Sequence, residues 1–475
     1  MADILRPDLC IIGAGALGVT LARHARASGA DVVLVDRGAP EPGDAWEISI
    51  ALAGLNRSAE ALHLASRGET FGFDPVAPKV RFKALQERLV NLRTKWKAEN
   101  SHERLRAQGI EVVVGPAAFS DPATLSVAGS VVKPRAFVLA TGSVANVPPI
   151  EGLADIDFFT PDSIVENARK LTHLLVIGAG AEALALAQAY RRLGSEVTIV
   201  PHGHELSGFD AEAVSALIQS LVSESMTICT GASVEGIQKR SQGIGVLVRV
   251  PDGSQKRLDV SHVLVACGRS VSVKDLNSDA AKLRPSDTGK GFEMGRHGRT
   301  TNRLVRVTGG LAGIDQWPEA LAHGRAVVDA LLGGAVKLIA APPRVVLTQP
   351  PLAQVGDLAG IGGKPRSGQR IVRASFAENA EALARGQGIG GVKVTVTANG
   401  RIAGASAFGP GAVDVVSALA FAMEQGIPLD RLASLTLPEP SLLSIIIALA
   451  ENHQPVRRVS SLKTPARALR RYLPF

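Results

Sequence analysis

Leu9-Cys10-Ile11-Ile12-Gly13-Ala14-Gly15-Ala16-Leu17-Gly18 joins an apolar run to three spaced glycines. Four consecutive apolar residues suit a parallel strand covered on both faces. The G-x-G-x-x-G spacing suits the turn from that strand into a helix. Gly13 permits the tight turn, Gly15 lets the backbone approach a pyrophosphate, and Gly18 lets helix and strand pack closely. Val19 to Ala27 read as the helix, whose N-terminus offers N–H groups and positive dipole to phosphates. Ala30 to Asp36 read as the next strand. Asp36, 18 residues beyond Gly18, stands where a carboxylate accepts from a ribose hydroxyl, and Arg37 beside it is a second candidate contact. The competing reading is a glycine-rich turn without a ligand; the two flanking strands and the terminal acid weigh against it.

A second fingerprint follows. Leu174 to Ile177 form an apolar strand, then come Gly178-Ala179-Gly180-Ala181-Glu182-Ala183, a helix from Leu184 to Leu193, and a strand from Ser195 to Val200. Gly178, Gly180 and Ala183 fill the fingerprint positions, alanine being an accepted third residue. The strand then ends in Pro201-His202-Gly203-His204, with no acid for a ribose diol and no arginine for a 2′-phosphate. Two solvated loop histidines are the plain reading of His202 and His204; weak phosphate contact is the other. A second nucleotide-type domain is thus signalled more strongly than its nicotinamide occupancy. Phe137 to Ser143 and His262 to Arg269 each read as the strand that closes one such domain.

Composition narrows the function classes. The chain has 475 residues, 46% apolar and 20% charged, enough for about three domains with ordinary cores. Aromatic residues make up 4%, which suits nucleic-acid stacking platforms poorly. The net charge is +8, but the last twenty residues hold six basic groups and no acid, leaving +2 for the rest. That distribution argues against a DNA-binding body. Cys10, Cys229 and Cys267 lie far apart, which excludes a disulfide-stapled scaffold and a local thiolate zinc site. The apolar stretch Leu442 to Ala450 is too short to span a bilayer. The N-terminal apolar run carries fingerprint glycines rather than a leader pattern, so a cytoplasmic protein is expected.

Over residues 8–453 the order of motifs resembles the pyridine nucleotide–disulfide oxidoreductases, the family of lipoamide dehydrogenase, glutathione reductase and mercuric reductase. The matching pieces are GAGALG at 13–18, ATGS at 140–143, GAGAEA at 178–183, ACGR at 266–269, Arg299-Thr300-Thr301-Asn302, Pro343 to Thr348, and Gly409-Pro410-Gly411-Ala412. The resemblance implies an α/β fold with two Rossmann-like dinucleotide-binding domains and an α+β C-terminal dimerisation domain. Residues 1–150 and 270–335 would form a discontinuous FAD-binding domain, 151–269 an NAD(P)-binding-like domain, 340–455 the dimerisation domain and 456–475 a basic amphipathic tail. It implies FAD on the first domain, NAD(P)H on the second, and a homodimer. Ala140, Thr141, Gly142 and Gly310 join the fingerprint residues as candidate cofactor contacts.

The departures are as informative. The family's redox-active cysteine pair belongs in the window from Gly43 to Arg57, which has no cysteine; dithiol exchange needs an attacking thiolate and a resolving thiol. Gly310 stands where the family has an acid for the flavin's ribityl chain. Glu439, within Pro438-Glu439-Pro440-Ser441, replaces the family's catalytic His, and Ser444 replaces the acid that orients it. Ala185 replaces a Glu beside the nicotinamide. Every electron-handling residue is altered while the turn-forming residues remain.

Glu439 reads either as a flavin-side base or as a surface or dimer-interface carboxylate. Trp46 and Trp317 read either as stacking on a flavin or quinone or as filling the space of a lost one. In the tail, Ala466, Leu469, Tyr472 and Leu473 share a face opposite Arg467, Arg470 and Arg471, which suits an anionic membrane surface, a redox partner protein or the protein's own dimer; no nucleic-acid partner is expected. The expected function is an FAD-dependent oxidoreductase that cannot reduce disulfides and passes electrons between a nicotinamide or small substrate and a quinone or protein acceptor. The alternative is a degenerate, non-catalytic nucleotide-binding or assembly subunit.

Overall fold

The computed structural model describes residues 4–38, 45–203, 206–271, 273–287, 291–314, 316–336, 342–358 and 366–453. The chain divides into two compact units, Met1–Gly356 and Asp357–Phe475.

In the first unit the strand Leu9–Ile12 lies at the middle of a five-stranded parallel sheet. Its neighbours are Val32–Asp36 and Ala136–Leu139, with Ile110–Val114 and Val305–Val307 at the two edges. Side chains alternate across the sheet. Leu9 and Ile11 pack with Leu21, Ala22 and Ala25 of the helix Ala16–Ala27 and with Val327 and Val328 of the helix Trp317–Leu332. Cys10 and Ile12 pack on the other face with Phe119, Leu125, Phe137 and Leu139. Phe119 and Leu125 come from a three-stranded antiparallel meander, joined in parallel by Ile4–Leu5, that covers this face. An apolar run without alternation is what burial from both sides demands. Each large side chain so buried is worth about 1.5–3 kcal/mol.

The same plan recurs further along. His173–Ile177 is flanked in parallel by Glu196–Val200 and His262–Val265, with Thr227–Ile228 beyond. A three-stranded antiparallel sheet, Ser233–Lys239, Ile244–Arg249 and Gln255–Val260, packs against it through Ile237, Val246 and Val248. In both sheets the fingerprint strand has its sequence successor on one side and the closing strand on the other. That is the switch point where an open α/β sheet forms its ligand crevice.

Element bounds depart from the sequence reading where the turns intervene. The first fingerprint helix starts at Ala16, not Val19, and the second at Ala181, not Leu184, because Gly15 and Gly180 are themselves the N-caps. The closing strands are Ala136–Leu139 and His262–Val265; ATGS and ACGR follow them, and Arg269 opens the two-residue strand Arg269–Ser270 that pairs with Val144–Ala145. The described part of the window without cysteines falls in one long helix, Ala45–Ser66.

The second unit is α+β. Arg370–Ser375, Gly391–Val396 and Ile402–Phe408 run antiparallel, with helices at Ala412–Glu424 and Ile445–His453. Among the described residues no helix is long and apolar enough to cross a membrane.

Candidate functional site

Gly13 has φ +112° and donates its N–H to the Val35 carbonyl at 3.0 Å. A Cβ there would stand 2.4 Å from the Ala140 oxygen. The turn therefore presses the first strand's end against the ATGS segment, and only glycine allows it. At Gly18 a Cβ would meet the Gly13 oxygen at 1.7 Å. Gly15 differs: its φ of −70° and ψ of −174° are open to any residue. Local backbone geometry does not demand glycine at 15.

Around this turn the structure gathers Gly13, Ala140, Thr141, Gly142 and Gly310. A Cβ on Gly310 would lie 2.9 Å from Ser143 Cβ and 3.0 Å from the Gly142 oxygen. Gly142 takes φ +75° with open space where a Cβ would point. Thr141 Oγ1 is buried without a hydrogen-bond partner, a state that normally calls for a ligand or water. Asp36, at the end of its strand, accepts from Gly38 N–H at Oδ1 (3.0 Å) and from His102 Nε2 at Oδ2 (2.6 Å). Arg37 is turned to Asp275 at 3.1 Å. FAD fits the adenylate and pyrophosphate end: the N-terminus of the helix Ala16–Ala27, the orphaned Thr141 hydroxyl and the Asp36 carboxylate stand at the ends of three adjacent parallel strands. Gly310, where the family resemblance puts an acid for the ribityl chain, brings no polar side chain.

The second crevice repeats the backbone and not the polar groups. Gly178 has φ +113°, and a Cβ would meet the Ala266 oxygen at 2.1 Å. Gly180 caps the helix Ala181–Arg192. Ala183, at the third fingerprint position, is 1% exposed. Ala185 is buried, but Glu182, one helical turn earlier, reaches within 3.9 Å of Arg269. His202 is exposed; His204 lies outside the described residues.

Arg269 of the ACGR segment ties the two motif sets together. It grips the buried Asp162 at 2.9 and 3.2 Å and Ser143 at Oγ and O, both at 2.9 Å. Asp162 and His102 were invisible as partners in the sequence, since they sit 107 and 66 residues from the groups they bind. Behind Gly309, Thr308 Oγ1 meets His323 Nδ1 at 3.1 Å. Burial, and then the nearby His297, hold the His323 imidazole below its ordinary range.

The three cysteines are free thiols. Cys10 is fully buried in its strand and burial pushes its pKa far up. Burial also raises Cys229. Cys267 Sγ donates to the Ile177 carbonyl at 3.4 Å. Among the described residues no group of three or more His, Cys, Asp or Glu side chains could hold a metal ion.

In the second unit Glu439 is exposed on the single chain and accepts the Ser441 N–H at 3.0 Å. Ser444 Oγ accepts from Asn379 Nδ2 at 3.0 Å. Trp317 is 44% exposed in the first turn of its helix. The side chain of Trp46 and the tail 456–475 lie outside the described residues.

Two switch-point crevices on successive parallel sheets, each opened by a glycine fingerprint, define a two-dinucleotide oxidoreductase architecture. The chain belongs to the pyridine nucleotide-disulphide oxidoreductase family. That family's model matches residues 7–324, and the model of its dimerisation domain matches 342–447. Its members are FAD-binding flavoproteins, and the chain carries the corresponding fold and dimerisation domain. A mercuric reductase of Streptomyces lividans is 29% identical over 443 residues, covering 90% of this chain and 92% of the relative. A dihydrolipoyl dehydrogenase of Thermus scotoductus is 28% identical over 463 residues, covering 94% and 96%. The HOCl-induced flavoprotein disulfide reductase RclA of Escherichia coli superposes with a TM-score of 0.80 at 21% identity, over 94% of this chain and all of that one. That last likeness speaks to the fold alone.

Proposed function

We propose that this protein is an FAD-dependent oxidoreductase that works without a redox-active disulfide. It passes electrons between a reduced nicotinamide or small substrate and a quinone or protein acceptor. The observation that carries the reading is a contrast within the first unit. The glycine turn against Ala140 keeps the geometry of a dinucleotide site, while the helix Ala45–Ser66, where the family's cysteine pair belongs, has no cysteine. A flavin supplies hydride and single-electron chemistry by itself. The chain's own part is to bind and orient. Gly13 and Gly18 shape the turn, Gly15 opens it to the pyrophosphate, Asp36 takes the ribose diol, and Thr141 offers its unpartnered hydroxyl. Arg37, engaged by Asp275, contributes charge and not a direct contact.

Gly178, Gly180 and Ala183 support a nicotinamide dinucleotide in the second crevice, with the exposed backbone as its main ligand. Glu439 is the carboxylate at the family's base position. In a homodimer, which the dimerisation domain favours, its present exposure would be covered by the partner. Phe421, 62% exposed on the single chain, supports that assembly. We place the protein in the cytoplasm, with the basic residues at 456–475 as the electrostatic half of a contact with an anionic membrane face or a redox partner.

A non-catalytic assembly subunit is the second reading, favoured by the crowding at Gly310 and by Ala185. Purified protein tests the two. The first reading expects a yellow sample whose flavin absorption is bleached by NADH, NADPH or a small donor. A colourless sample that takes up no FAD on incubation supports the second.

A further inference from the structure

His102 has no role in the fingerprint, yet it touches Asp36, the carboxylate that the fingerprint assigns to the ribose. Its Nε2 lies 2.6 Å from Asp36 Oδ2. A carboxylate only accepts, so Nε2 carries the hydrogen of this bond. The platform beneath the ring is stiff. Ser101 caps the helix His102–Ala107 by accepting the Arg104 N–H, and Leu105, 1% exposed, anchors the helix on the strand Ile110–Val114. Arg106 adds a bond to the Val112 carbonyl at 2.9 Å. Asp36 is held from the other side as well: Gly38 N–H binds Oδ1, and its own carbonyl accepts from Gly115 N–H at 2.8 Å.

Each carboxylate oxygen can accept two hydrogen bonds. Among the described residues Gly38 takes one place on Oδ1 and His102 one on Oδ2, leaving one on each. A carboxylate clamped at both oxygens, with one free site apiece, is ready to receive the two hydroxyls of a ribose without reorganising.

We propose that His102 is a positioning residue of the adenosine subsite, locking the Asp36 carboxylate in the orientation that takes the ribose diol of FAD. This rests on the reading of the first crevice as the FAD site. A hydrogen bond to a charged group carries enough free energy to shift affinity about tenfold when its orienting effect is lost.

The test uses full-length protein. FAD binding is followed by quenching of flavin fluorescence, and FAD release by recovery of fluorescence on dilution of the holoprotein. His102→Ala should weaken FAD about tenfold and speed release, while His102→Gln, which keeps an N–H donor, should fall within about threefold of wild type. Asp36→Ala should weaken FAD on its own, and Asp36→Ala/His102→Ala should bind no worse than Asp36→Ala. The difference between wild type and His102→Ala should shrink with FAD lacking the 2′-hydroxyl of its adenosine. If His102→Ala binds FAD like wild type while Asp36→Ala is impaired, or if the two losses simply add, His102 does not act through Asp36 and the inference is overturned. If Asp36→Ala binds FAD like wild type, the ribose reading of the crevice falls first and takes this inference with it.

Discussion

Arg269 grips Asp162 with both terminal nitrogens, at 2.9 and 3.2 Å, while its Nε and one of those nitrogens also hold Ser143. The side chains of the ion pair are 16% and 10% exposed. Removing one member of a buried pair leaves the other charge stranded at a cost of about 3–5 kcal/mol. Arg269→Ala should lower stability by the smaller part of that range, read by urea unfolding. Arg269→Lys should recover little, since an ammonium cannot reproduce the planar fork. Equal stability of Arg269→Lys and wild type would show that the fork geometry is not needed.

Gly13 and Gly15 should respond differently to the same added methyl. Gly13→Ala places a Cβ against the Ala140 carbonyl at φ +112° and should unfold or strongly destabilise the first unit. Gly15→Ala sits at φ −70° and should fold normally, while Gly15→Val should fold and bind FAD poorly. Circular dichroism and flavin content per chain check both. Full flavin in Gly15→Val would remove Gly15 from the pyrophosphate site.

Restoring the family's acid should not restore a better flavin site. Gly310→Asp drives a Cβ to 2.9 Å from Ser143 and 3.0 Å from the Gly142 oxygen. Overpacking of this kind costs about 1–3 kcal/mol. The variant should melt lower and hold FAD no more tightly than wild type. Tighter FAD with unchanged melting would mean the Gly142–Ser143 turn yields freely.

Much of this was legible from the sequence, and the legible part has one character. The fingerprints announce themselves because backbone rules at Gly13 and Gly178 act within a few residues. The buried strand Leu9–Ile12 shows as an unbroken apolar run for the same reason. What was not legible depends on topology. His102 reaches Asp36 because the strand Ile110–Val114 is brought beside Val32–Asp36, and no local pattern encodes that. The closeness of Gly310 to Ser143 likewise follows from Val305–Val307 pairing with Ala136–Leu139. The absence of cysteine was plain in the sequence, whereas the helix occupying that window was not read.

The three thiols should be dispensable. Cys10 is sealed in the core, and burial raises both Cys10 and Cys229 away from thiolate chemistry. Cys10→Ala/Cys229→Ser/Cys267→Ser should retain flavin reduction and turnover with a quinone, at a stability cost of about 1–2 kcal/mol. A folded triple variant that loses turnover would contradict a thiol-free mechanism.

His323 should make the fold acid-sensitive. Burial, and then His297, depress its pKa below the ordinary value of 6.5. As pH falls, the unfolded chain takes up this proton first. The contribution is therefore complete above the ordinary value and is lost as pH falls through it toward the lower folded value. His323→Asn keeps a polar group near Thr308 and has no such titration. Wild type should lose more urea resistance than His323→Asn between pH 7.5 and about 5. Parallel losses would place the acid sensitivity elsewhere, as in His63, whose imidazole burial also depresses.

Counting electrons tests the thiol-free flavin mechanism most directly. Anaerobic titration of the purified protein with dithionite, followed at the flavin absorption, should reach full reduction at one two-electron equivalent per FAD, with no new thiols detected. Uptake of a second electron pair accompanied by new thiols, or protein without flavin after incubation with FAD, would contradict it.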